Sequence, residues 1–124
     1  MLYKEWKVEY LDHEKLDVYQ VSIEVIGLIE EIILTMPKEK GQLADQLGRA
    51  GTSIPLNIAK EAGEWAQNEK CRFYRIAKRS ATECVGMISV CRKLEAIEEQ
   101  LYQEIRKLLI RVVAMLTKMA KKGT

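Results

Sequence analysis

A stripe of polar side chains between residues 46 and 57 is the first arrangement in this sequence that could do chemistry. Its members recur at intervals of three and four, which places them on one face of a helix: Gln46, Arg49, Ser53 and Asn57. A later helix contributes Ser80, within its apolar face, and Glu83 at the edge of that face. The two stripes predict a polar cluster inside a helical bundle.

Two interpretations of this cluster are open. It could be a small binding pocket with Asn57 and Glu83 as its polar determinants. It could instead be structural, satisfying the backbone carbonyl that Pro55 leaves without a donor and fixing the register of the helices. The structural interpretation is favoured.

Cations recur with helical spacing further along the chain. Three lie on the third predicted helix and three on the fourth: Arg72, Arg75 and Arg79, then Arg106, Lys107 and Arg111. Cations acting together supply much of the affinity for nucleic acid, and Trp65 or Tyr74 could stack on bases. A solvated or intersubunit charge face is the alternative, with Arg79 paired to Glu83 in its own helix.

Side chains for catalysis or metal binding are scarce. The one histidine, His13, stands in a charged N-terminal turn without a nucleophile or ligand set at fixed spacing, so we interpret it as a surface residue. Cys71, Cys84 and Cys91 form no CxxC pair and are expected to be reduced thiols that pack as small hydrophobes. Phosphate, dinucleotide and nucleophile-elbow motifs are lacking. We therefore expect no enzyme, cofactor, metal or small-molecule substrate.

The composition indicates one all-α domain over residues 1–124. The chain has 48% hydrophobic residues, two prolines and seven glycines, which favours long helices around a single core. Its N-terminus is too charged for a signal peptide and no apolar run is long enough for a membrane span, so a cytoplasmic protein is expected. Residues 1–36 hold three Lys and eight acids, a balance of −5, whereas residues 69–124 hold thirteen Lys or Arg and six acids, a balance of +7.

Apolar periodicity predicts four helices, at about 12–36, 41–63, 68–94 and 98–121. Asp12 is the expected N-cap of the first helix, Pro37 ends it, and Pro55 should bend the second. Because the links are short, the helices should form an antiparallel, up-down-up-down four-helix bundle.

The first helix carries two apolar stripes, one more than a bundle core needs. We expect the second stripe to remain exposed in a monomer and to form an oligomer interface. Its members are Val18, Val21, Val25, Leu28 and Ile32.

The segment Gln46-Leu-Gly-Arg-Ala-Gly-Thr-Ser-Ile-Pro-Leu-Asn-Ile-Ala59, with Phe73-Tyr-Arg-Ile-Ala-Lys-Arg-Ser-Ala-Thr-Glu-Cys84, resembles a known family. It is similar to the four-helix-bundle proteins encoded by intervening sequences within bacterial 23S ribosomal RNA genes, over about residues 12–117. The resemblance implies a small antiparallel bundle that assembles as a ring of five subunits. It also implies kinship with accessory proteins of diversity-generating retroelements, which bind nucleic acid and a reverse transcriptase.

The sequence departs from the family pattern just after this segment. Where the family usually reads Asn-Ile-Ala-Glu-Gly-x-Gly-Arg, this chain has Asn57-Ile-Ala-Lys60-Glu61-Ala-Gly63-Glu64. An acid has become basic at Lys60 and an arginine acidic at Glu64, so a function that depends on the usual charges there is in doubt.

Three function hypotheses follow. The leading one is a non-enzymatic homo-oligomer that offers a basic surface to RNA, to DNA or to a nucleic-acid-handling protein such as a reverse transcriptase. The second is a structural or protein-interaction module in which the basic third and fourth helices meet the acidic first helix of a neighbour. The third is a ligand-binding or catalytic bundle centred on Asn57 and Glu83.

Overall fold

The computed structural model describes residues 7–122 and the side chains of residues 7–121. The predicted domain spans 1–124, of which residues 1–6 and 123–124 lie outside the described part. Four α-helices make up most of that part: α1 (Asp17–Thr35), α2 (Gly41–Ala62), α3 (Gln67–Lys93) and α4 (Glu99–Lys122). Short 3-10 turns, Asp12–Lys15 and Lys38–Lys40, precede α1 and α2. Residues 7–122 contain no strand, so the predicted all-α class is confirmed.

The predicted helix bounds agree with the structure to within one residue, except at the start of the first helix. Residues 12–15 form a separate 3-10 turn and Leu16 is extended, with φ −70° and ψ 136°, so α1 begins at Asp17. The expected N-cap at Asp12 is therefore wrong. The Leu11 N–H instead donates to the Glu14 carboxylate at 3.0 Å, which stabilises the 3-10 turn.

Each helix packs against its neighbours in the cyclic order α1, α2, α3, α4 and back to α1. The core between them consists of branched aliphatic and small side chains, including Val25 and Ile32 from α1, Ile54 from α2 and Leu109 from α4. Burying such side chains is the main source of stability for a bundle of this size.

Contacts between neighbouring helices pair residues in opposite chain order. A Cβ added at Gly48 would lie beside Ile33, and one at Gly51 would lie beside Ile29. Likewise Ser53 meets Ser80, while Glu61, further along α2, meets Lys70, further back on α3. An antiparallel bundle requires this order, although the up-down-up-down topology stays a prediction.

Helix α2 continues through Pro55, which is buried inside it. The bend expected there also stays a prediction. No helix in the described part of the chain combines the length and apolarity needed to cross a lipid bilayer.

Candidate functional site

Three of the six predicted cluster residues form a hydrogen-bonded group between α2 and α3. The Asn57 amide donates to the Ser53 carbonyl at 2.8 Å and to the Ser53 hydroxyl at 2.9 Å. The Ser80 hydroxyl donates to the Ser53 hydroxyl at 2.8 Å across the helix interface. Asn57 and Ser80 are each only 7% exposed. Ser53 therefore links two buried polar side chains and ties α2 to α3.

The other three predicted members lie outside this group. Gln46, Arg49 and Glu83 are exposed. The structure thus does not bring Asn57 and Glu83 together in one ligand pocket. The structural interpretation also needs a correction, because Asn57 donates to the carbonyl of Ser53 and not to that of Gly51, the acceptor that Pro55 leaves without its helical donor.

The predicted cations of α3 form a row on its outer face. Arg72, Arg75 and Arg79 are all exposed. Arg72 pairs with Glu69 at 3.1 Å and stacks over Phe73 at 5.0 Å. The ion pairs among described residues include neither Arg75 nor Arg79, so the alternative pairing of Arg79 with Glu83 is not formed.

On α4, Lys107 and Arg111 are likewise exposed and take part in none of the ion pairs found within residues 7–121. Arg106 differs, because it is half-buried against Tyr102. Its Nη1 lies 3.4 Å from the Tyr102 hydroxyl and its guanidinium carbon 6.0 Å from the ring centre. Arg106 thus contributes to packing as well as to surface charge.

Tyr102 is the centre of a contact between α3 and α4 that the sequence did not reveal. Arg92 stacks on its ring at 4.5 Å and pairs with Glu99 through two bonds of 3.0 and 2.9 Å. A hydrogen bond with Ser89, helped by the positive charges of Arg106 and Arg92, lowers the pKa of Tyr102. The bidentate pair of Arg92 with Glu99 fixes the geometry of the turn between α3 and α4.

A second buried polar contact involves one of the departures from the family pattern. Glu61 is only 8% exposed and lies 3.9 Å from the Lys70 ammonium. Burial raises the pKa of Tyr74, as do its hydrogen bond to Glu61 and the charge of that carboxylate. At this position the acid therefore joins α2 to α3, whereas Lys60 is exposed and Glu64 half-buried.

The thiols and the histidine lie in structural positions. Cys71, Cys84 and Cys91 are buried and unpaired, as small hydrophobes would be. Burial, with a smaller effect of the Glu83 charge, raises the pKa of Cys84 to about 12. His13 packs edge-on against Tyr19 with ring centres 5.0 Å apart. Within residues 7–121, no group of three or more His, Cys, Asp or Glu side chains converges as a metal site.

The predicted interface stripe on α1 is wrong. Val18, Val21, Val25 and Ile32 are buried in the core of the subunit itself, and Leu28 is partly buried against that core. The large apolar side chains of α1 that remain in solvent lie on the opposite face of the helix. Ile23 is 46% exposed and Leu34 is 74% exposed. The reason is that α1 contacts both α2 and α4, so the valine stripe faces inward between them.

An open groove runs along α2, and three predicted site residues, Arg49, Ser53 and Asn57, line it. Its volume is about 750 Å³, and its other lining residues are Ile33 of α1 and α2 residues between Ala44 and Lys60. Small side chains make its floor, including Gly48, Thr52 and Ser53. Leu56 stands in it 54% exposed. The sequence signal was the run of small residues on the outer side of the second helix.

A protein-family model for the 23S rRNA-intervening sequence protein matches residues 14–118. The chain belongs to this family. The match covers all four helices except the last residues of α4. It therefore confirms the resemblance that the motifs around Asn57 and Ser80 indicated.

Comparison with solved structures finds a protein with the same fold. A crystal structure of a protein with unknown function from the S23 ribosomal protein family of Bacteroides thetaiotaomicron superposes with a TM-score of 0.77. The two sequences are 22% identical over 84% of this chain and 95% of that one. At that identity the likeness establishes the fold alone. Comparison with curated proteins gives no significant match.

Proposed function

We propose that this protein is a non-enzymatic, self-associating four-helix bundle whose basic outer surface on α3 and α4 binds the phosphates of RNA. The observation that carries the proposal is the set of exposed cations on two adjacent helices that have no ion-pair partner among the described residues. Its members are Arg75, Arg79, Lys107 and Arg111.

The register of α3 against α4 supports one joint surface. Arg92 meets Glu99, and Ser89 meets Tyr102, so an antiparallel pair would put Arg79 level with Val112. Arg111 then lies at nearly the same level as Arg79 along the bundle, on a neighbouring helix whose axis is about 8–10 Å away. Lys107 continues the surface by about one turn, and Arg75 extends it the other way. These cations are available to the phosphates of a nucleic-acid backbone, which cations bind without reading sequence.

Trp65 adds a second contact of the kind that nucleic acid uses. It lies in the turn between α2 and α3 and is 97% exposed. Exposure of the indole to water is unfavourable, and its flat surface is one on which an unpaired base can stack. The combination favours RNA with single-stranded segments over a duplex.

Self-association is supported by apolar side chains that the subunit does not cover. Ile23, Leu34 and Leu56 lie on the outer faces of two neighbouring helices. Each Å² of apolar surface buried contributes about 25 cal/mol, so joining such faces favours assembly. The resemblance to the family implies five copies. The second candidate function, a protein-interaction module without nucleic-acid binding, rests on these same side chains.

A titration of fluorescently labelled, partly single-stranded RNA distinguishes the two candidates. The variant Arg75→Glu/Arg79→Glu should weaken binding by at least about tenfold at low salt, and raising the salt should weaken wild-type binding steeply, because released counterions drive it. The control Lys38→Glu/Lys40→Glu makes the same change in net charge away from α3 and should bind like wild type. Equal loss in both variants, or no binding by wild type at low salt, contradicts the nucleic-acid proposal and favours the interaction module.

A further inference from the structure

The outer face of α1 carries exposed aliphatic side chains that do not pack within the subunit. Ile23, Gly27, Glu30 and Leu34 lie in one line along the helix at 100° per residue, and all four are exposed. A Cβ at Gly27 would meet no atom within 4 Å, although glycine inside a helix costs about 1 kcal/mol relative to alanine. The face thus presents two exposed aliphatic side chains, separated by the open space at Gly27 and by the acid Glu30.

An open glycine alone does not mark a contact. Gly86 on α3 is equally open, but it lies on the basic face between Arg79 and Lys93. What distinguishes Gly27 is its place between Ile23 and Leu34, the most exposed aliphatic side chains of α1.

The groove on α2 has the complementary shape. Its floor between Ala44 and Lys60 extends about 24 Å at 1.5 Å per residue, while Ile23 and Leu34 are about 16 Å apart along α1. Small side chains at Gly48 and Thr52 leave room for aliphatic side chains of a partner helix, and Leu56 projects from the groove toward such a partner. Leu56 would in turn fill the gap at Gly27.

Charge is complementary as well. Helix α1 contains Asp17, Glu24, Glu30 and Glu31 and no Lys or Arg. The groove is bordered by Arg49 and Lys60, against one acid, Asp45. Pairing two α1 faces would bring acids together, and pairing two grooves would bring the cations together, so neither like pairing is favoured.

We propose that the outer face of α1 docks into the α2 groove of a second copy of this chain. The inference rests on the self-association proposed above and assigns its two unlike surfaces. Because α1 and α2 are neighbours in the bundle, successive head-to-tail contacts turn and can close into a ring. Docking of α1 on α3, which lies diagonally across the bundle, would extend in a line and leave open ends.

The test blocks one surface at a time and measures mass by light scattering on a sizing column. Gly27→Leu fills the gap on α1 and should reduce the assembly to the subunit mass of 14.3 kDa. Its helical content by circular dichroism should not fall, because leucine forms helices better than glycine does. Gly86→Leu is the matched control, an equally open glycine on another helix, and should keep the wild-type mass. Leu56→Glu places an acid in the groove and should also give subunits.

Mixing the two blocked variants tests the head-to-tail arrangement. Gly27→Leu retains a working groove and Leu56→Glu retains a working α1 face, so together they should form one 1:1 complex of about twice the subunit mass and grow no further. A mixture that stays at subunit mass overturns the pairing of unlike surfaces.

The remaining outcomes separate this inference from the proposed function. If Gly27→Leu keeps the wild-type mass while wild type assembles, the α1 docking site is wrong and self-association stands. If wild type itself runs as a single subunit, self-association fails and this inference fails with it, while RNA binding by α3 and α4 is unaffected.

Discussion

The hydrogen bonds of Ser53 show what a single side chain contributes to joining two helices. Its hydroxyl accepts from both Asn57 and Ser80, at 2.9 and 2.8 Å. Spacing at three and four predicted that these residues share faces, and the need of a buried hydroxyl for a partner predicted a contact for Ser80. Spacing did not predict how deeply each side chain is buried. Gln46 and Glu83 lie at the edges of the same faces. Whether a side chain at the edge of a face is buried depends on the distance between the helices, which spacing along the chain does not give.

Asn57→Leu should lower the free energy of unfolding by about 1–3 kcal/mol without loss of helical content. The leucine leaves the Ser53 hydroxyl without its donor from Asn57 and puts apolar volume where a carboxamide fitted. Urea unfolding followed by circular dichroism measures the change. Gln46→Leu, an exposed position on the same stripe, is the control and should stay within about 0.5 kcal/mol of wild type. Equal effects of the two substitutions would argue against a structural role for the cluster.

At the level of helices, the existence and length of all four followed from apolar periodicity, Pro37 and the short links. The rotation of α1 did not. Both of its stripes are apolar enough for a core, and only the positions of α2 and α4 decide which one is enclosed. The valine stripe faces inward, while Ile23 and Leu34 face solvent beside Glu24, Glu30 and Glu31. The charged neighbours were the available signal, since acids flank the stripe that stays in water.

Gly51 lies where α2 packs against the Ile29 side chain of α1. A Cβ at this position would overlap Cδ1 of Ile29, a side chain buried in the core. Gly51→Ala should therefore destabilise the protein by about 1–3 kcal/mol, the usual cost of overpacking, even though alanine is the better helix former.

Gly86→Ala provides the comparison, because a Cβ there meets no atom within 4 Å. It should stabilise the protein by about 0.5–1 kcal/mol through helix propensity alone. Thermal unfolding of both variants measures the difference. If Gly51→Ala is as stable as Gly86→Ala, Ile29 can move aside and the close approach of α1 and α2 is not enforced by the glycine.

For the molecule as a whole, the acidic and basic parts of the sequence lie on different surfaces of the bundle. The acidic balance lies on the outer face of α1, and the basic balance lies on α3 and α4. The sequence predicted which helices carry each sign. It could not locate the α2 groove, because a groove depends on side chains being absent from a surface whose orientation is known only after folding. Docking in the groove would leave the basic face available, so the proposed assembly is compatible with the proposed nucleic-acid binding.

A ring of copies would repeat the basic surface, and this repetition predicts how affinity depends on RNA length. An RNA long enough to reach two subunits binds the second as an intramolecular event, which raises avidity by about 10²–10⁴ over one contact. An oligonucleotide that covers only the row from Arg72 to Arg79, about 10 Å of helix, cannot gain from it.

The subunit variant Gly27→Leu should accordingly bind such a short oligonucleotide as wild type does. It should bind a long single-stranded RNA at least tenfold more weakly, because it offers one surface instead of several. Fluorescence anisotropy with the two labelled RNAs at one salt concentration measures both affinities, and the short RNA is the internal control. Equal loss for short and long RNA would mean that Gly27 acts on the basic surface itself. No loss for either would mean that one subunit already supplies the whole site.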